Sequence, residues 1–107
     1  MSETLAKIIK FVEQRKVRVS DHGMEELRQD GIRLSDVLAG AKEAEIVEDY
    51  PDAFKGPTVL VLQLAGGRPI HVIWGLAKAS YNEATLVTAY VPDPQKWYDD
   101  FKRRKPK

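Results

Sequence analysis

Two histidines, His22 and His71, are the only side chains of this sequence whose ordinary pKa lies near neutrality. His22 opens the run "HGMEELRQDG", and His71 interrupts the apolar stretch "PIHVIWG". A pair of imidazoles can cleave RNA without a metal. One removes the 2′-hydroxyl proton, the other protonates the departing 5′-oxygen, and cations stabilise the charge on the phosphoryl oxygens. The candidates for that chemistry are His22 and His71 for proton transfer, Tyr90 for orientation, and Arg28, Arg33 and Lys78 for charge and substrate binding. Composition permits this activity without assigning it. The plainer reading of His71 is a neutral core ring with a hydrogen-bond partner. The plainer reading of His22 is a residue at a helix start, where the dipole disfavours an imidazolium.

Other chemistries lack their residues. The chain has no cysteine, which removes disulfides, thiolate nucleophiles and cysteine-based metal sites. Its two histidines have no HExxH spacing. There is no P-loop or GxGxxG, and Ser20, Ser35 and Ser80 lack a nucleophile-elbow context. No metal and no cofactor is expected.

The 107 residues fit one domain, and 43% apolar against 31% charged residues is a globular balance. Leu5, Ile8, Ile9 and Val12 predict an amphipathic helix over residues 3 to 15. Val17 to Val19 reads as an extended link. Ser20 or Asp21 caps a second helix, His22 to Gln29, with Met24 and Leu27 inward and Gly31 stopping it. Ser35 caps a third. Strands follow at 45 to 50, 58 to 64, 70 to 76 and 85 to 90, with Gly66 and Gly67 as a hairpin turn. That turn pairs Leu62 with His71 and Val59 with Trp74, leaving apolar residues on both faces of the sheet. Asp93 and Pro94 open a final helix that carries Trp97 and Phe101 on one side. The expected fold class is α+β: N-terminal helices packed on a twisted four-stranded antiparallel sheet, with a C-terminal helix.

Charge is unevenly spread. The segment Glu43 to Asp52 holds five acids and no base, whereas the tail at 102 to 107, "KRRKPK", is almost wholly basic. The tail reads as a solvated end or as a phosphate contact. No apolar run reaches membrane-spanning length, and the first residues lack a signal-peptide pattern. A cytoplasmic protein with no membrane contact is expected.

The order of motifs "SDHGMEELRQDGIRLSDV", "EIVEDYP", "FKGPTVLVLQLAGGRPIHVIW", "LVTAYVPDPQKW" and "DFKRRK" resembles the family known as domain of unknown function 4258. The resemblance runs from about Val19 to Lys105 and leaves residues 1 to 16 outside it. This family is grouped with the RelE/ParE toxin superfamily, so the resemblance implies a toxin-like fold of helices on a twisted sheet. RelE-like members of bacterial toxin–antitoxin pairs cut messenger RNA, and ParE-like members act on DNA gyrase. The family pattern places its histidines at His22 and His71, its tyrosine at Tyr90, and its later motif at Asp93, Pro94 and Trp97. Where many relatives carry arginine before glycine and isoleucine, this chain has Asp30 before Gly31 and Ile32.

Three readings follow. The first is a metal-independent RNA-cleaving toxin in which His22, His71 and Tyr90 converge. The second is a non-catalytic protein-interaction module with a toxin-like fold, taking an antitoxin-like partner on an apolar sheet face. The third is a nucleic-acid binder led by the basic tail. The sequence leaves the oligomeric state open.

Overall fold

The computed structural model describes residues 2–76 and 82–106. Two serines begin the first helices as their side chains dictate. Ser2 Oγ accepts from the Leu5 amide at 3.1 Å and caps α1 (Glu3–Glu13). Ser20 Oγ accepts from Gly23 N at 2.9 Å and caps α2 (Asp21–Gln29), which ends before Gly31 at φ 63°. α3 (Leu34–Gly40) starts earlier than its serine implied. Arg33 holds the cap position without a side-chain bond, and Ser35 lies inside the first turn. A short 3₁₀ turn, Ala41–Glu43, leads into the sheet.

The strands are β1 (Val17–Val19), β2 (Glu45–Tyr50), β3 (Thr58–Ala65), β4 (Arg68–Gly75) and β5 (Ala84–Tyr90), in the spatial order β1-β5-β4-β3-β2. The expected four-stranded antiparallel sheet is therefore corrected to a five-stranded mixed one. The segment Val17–Val19 is not a link. It pairs in parallel with β5, Val17 opposite Ala84 and Val19 opposite Leu86. β5 would otherwise be an open edge, and a three-residue strand suffices to satisfy it.

The expected C-terminal helix is also overturned. Asp93 makes a turn, with Oδ1 accepting from Gln95 N at 2.8 Å and its carbonyl accepting from Lys96 N at 2.9 Å, but the turn does not continue. The chain reverses instead into a narrow hairpin. Tyr98 N donates to Arg103 O and Lys105 N to Lys96 O, both at 2.9 Å, and Trp97 bridges to Arg104. Phe101 takes φ 55° at the reversal, and Asp100 Oδ1 accepts from Lys102 N at 3.0 Å. This local side-chain bonding competes with helix formation.

All three helices lie on one face of the sheet. Ile8, Leu27 and Val37 pack there against Val61, Val72 and Leu86. Met24, expected inward, is 43% exposed. One buried polar group ties this layer together. Gln63 accepts from Trp74 Nε1 and donates to Val37 O, each at 2.9 Å. Gly40 lies against the same strand: a Cβ there would stand 2.6 Å from Leu64 O, so no larger residue fits. No described helix is long and apolar enough to cross a membrane.

Gln63→Leu would leave the Trp74 indole N–H and the Val37 carbonyl without partners in an apolar layer. A loss of about 2–4 kcal/mol is expected in a urea unfolding curve, with the slope unchanged.

Candidate functional site

The β3–β4 turn sets the geometry of the opposite face. Gly66 and Gly67 have φ 60° and 82°, the signs a type I′ hairpin requires. The resulting register is the one read from the sequence, with Leu62 opposite His71 and Val59 opposite Trp74. Two irregularities then aim the neighbouring side chains. The β2 register shifts between Ile46 and Glu48, so Glu45 and Glu48 both come to the same face, opposite Leu62 and Leu60. Three residues apart on a regular strand, they would point to opposite faces. In β5 the shift lies beside Trp74 and Ile73, keeping Leu86 on the helix side and Tyr90 on the outer side. The outer face therefore carries two rows. One is Glu45, Leu62, His71 and Tyr90; the next is Glu48, Leu60, Ile73 and Thr88.

The C-terminal hairpin lies over these rows. His71 is fully enclosed, and both ring nitrogens are occupied. Nε2 donates to the Phe101 carbonyl at 2.6 Å, which fixes the tautomer. Nδ1 is then the acceptor for the Tyr90 hydroxyl at 3.3 Å. The ring meets Tyr90 and Trp97 edge-on, with centroids 5.4 and 4.4 Å away. Burial lowers the His71 pKa, against the opposing pull of the Phe101 carbonyl, so the ring is neutral. Burial likewise raises the Tyr90 phenol.

Charge pairs hold the hairpin at its outer edge. Arg104 donates to both carboxylate oxygens of Glu48, at 3.3 Å from Nε and 3.0 Å from Nη2, and its guanidinium lies 4.7 Å from the Trp97 ring centroid. Lys102 stands 3.5 Å from Glu45. The Arg104 bond lowers the Glu48 pKa, and the Glu48 carboxylate raises that of Tyr50. The acidic strand and the basic tail, separate features of the sequence, are thus two halves of one contact.

The sequence candidates divide. His71 and Tyr90 touch. His22 does not join them: it lies on α2, across the sheet, with an exposed ring 3.8 Å from Glu26. Arg28 pairs with Glu25 at 3.1 Å, and Arg33 is exposed at the start of α3. Lys78 lies outside the described residues. Among the described residues no group of histidine, aspartate and glutamate could hold a metal. Glu48, Arg104 and the Phe101 carbonyl complete the cluster and were not singled out. Their signal was the opposite charge of "EIVE" and "KRR", which matters only once the two segments are adjacent.

A sequence profile described as "Domain of unknown function (DUF4258)" matches residues 19–91. The chain belongs to this family. No curated protein and no solved structure matches it. In this DUF4258 chain the matched span contains His22, His71, Glu48 and Tyr90, whereas the hairpin that closes over His71 follows it.

An imidazole held neutral in the fold and protonated in the unfolded chain makes stability rise with pH. The His71 contribution should be complete above its ordinary value of 6.5 and decline as pH falls from there toward the lowered folded value. His71→Phe should flatten that slope as pH falls below 6.5 in thermal melts. His71→Ala should cost about 2–4 kcal/mol and release the hairpin to proteolysis. Arg104→Gln should cost under about 1 kcal/mol, since the pair is half exposed, and should raise the Glu48 pKa in an NMR titration.

Proposed function

We propose that this DUF4258 domain works by binding and not by catalysis, as a non-catalytic interaction module of the RelE/ParE-like kind. The enclosure of His71 carries this reading. A general acid or base must reach the atom whose proton it moves. His71 is covered, neutral and bonded at both nitrogens, and His22 lies across the sheet from it. The Glu48 carboxylate is held by Arg104. In this arrangement the polar cluster fastens the C-terminal hairpin to the outer face. A ligand or an antitoxin-like partner then meets the part of that face which the hairpin leaves open.

A second reading, metal-independent RNA cleavage by a toxin-like protein, draws support from one observation. Glu48, His71, Tyr90 and Arg104 supply a carboxylate, an imidazole, a phenol and a guanidinium on one surface. It requires the hairpin to lift away. The test is incubation of the full chain with labelled RNA in the presence of a chelator. The binding reading expects intact RNA from both the native chain and His71→Ala. Cleavage by the native chain that His71→Ala abolishes would overturn it.

A further inference from the structure

The outer face has a third row, beyond the hairpin. Arg18 on β1 stands opposite Thr85, Thr85 opposite Gly75, and Gly75 opposite Thr58. These four residues cross four strands, and they line a groove of about 380 Å³ with Lys55 and Val87. The volume falls within the range of small-ligand sites.

Three features give the groove a chemistry. First, its charge is of one sign. Arg18 and Lys55 line it, and no acid is among its described lining residues. Arg28, Lys102, Arg103 and Arg104 each pair with a carboxylate, and neither Arg18 nor Lys55 does so among the described residues. Second, Thr85 brings a hydroxyl to the same lining, beside Thr58 and Ser20, whose hydroxyls already donate to the Gly56 and Val87 carbonyls. Third, the floor is a glycine, Gly75, the last residue of the central strand β4. Among the described residues no contact at Gly75 demands a glycine. A Cβ there would meet only ordinary contacts, 3.6 Å to Val87 and 3.7 Å to Thr58. A strand glycine without a packing reason fits the close approach of a ligand. Beside Lys55 in the chain, Phe54 is 90% exposed, an aromatic face open to a planar ring.

We propose that this groove binds a nucleotide phosphate, with Arg18 and Lys55 on the phosphate oxygens, the Thr85 hydroxyl on the sugar-phosphate, and Gly75 leaving the room. The site deepens the reading of the domain as a binder and rests on it. A free mononucleotide and a unit of an RNA strand present the same chemistry.

The test is NMR titration of the full chain with adenosine monophosphate and, separately, with adenosine. The phosphate form should shift the amides of Gly56, Gly75 and Thr85, and adenosine should bind at least about tenfold more weakly. Lys55→Gln and Arg18→Gln should each weaken the phosphate form by about tenfold. Gly75→Ala should do the same while leaving the melting temperature unchanged or raised, which a merely structural glycine would not. A dinucleotide that binds more tightly than the mononucleotide assigns the site to RNA, and the reverse assigns it to a free nucleotide. Absence of shifts, or equal shifts from adenosine, overturns the site and leaves the binding reading standing. Conversion of either phosphate ligand during the titration overturns the binding reading and leaves the site standing.

Discussion

The register of the β3–β4 hairpin is the constraint on which the rest of the molecule depends. It sends Trp74 and Gln63 to the helices and His71 to the other face. A slip of one residue would exchange the two sets. Trp74 would lose Gln63, and the imidazole would enter an apolar layer away from the Phe101 carbonyl and the Tyr90 hydroxyl. The turn glycines matter for that reason, since a bulkier residue at their positive φ would strain the one connection that fixes the pairing.

The two faces of the sheet are finished by different physics. The inner face is closed by apolar burial against three helices, with Gln63 as its single polar tie between β3, β4 and α3. The outer face is closed only in part, and by directional contacts: a neutral imidazole, a carbonyl and two exposed ion pairs. Exposed pairs contribute little individually. The specificity of the docked hairpin therefore rests chiefly on the enclosed His71 and Trp97, and the charges set its direction along β2. The bulge that turns Glu48 outward makes that second contact available.

What was legible in the sequence was local. The Ser20 cap, the periodicity of the first helix, the glycine turn and the strand propensity of residues 58 to 64 and 70 to 76 each act over a few residues and led to the right element, whereas Ser35 lies inside α3 and not at its cap. The misreadings share a cause. Val17–Val19 has strand propensity too short to count alone, and its partner Ala84–Leu86 is far along the chain. Residues 93 to 101 carry a sound helix start, but Asp100 and the demand of His71 for the Phe101 carbonyl favour a reversal. A helix would have turned that carbonyl toward its own amides. Of the candidate site, the chemistry of His71 and Tyr90 was visible as residue types. Their adjacency followed from strand pairing, and the separation of His22 from both followed from which face α2 covers.

The parallel pairing of β1 with β5 has a consequence for the order of assembly. β1 leaves the ribosome early and has no strand partner until β5 has been synthesised. The hairpin of β3 and β4 closes a short loop and can form at once. The sheet's earliest-made strand thus pairs only with its latest-made one, so the edge of β5 is closed by a segment from the opposite end of the sheet's sequence.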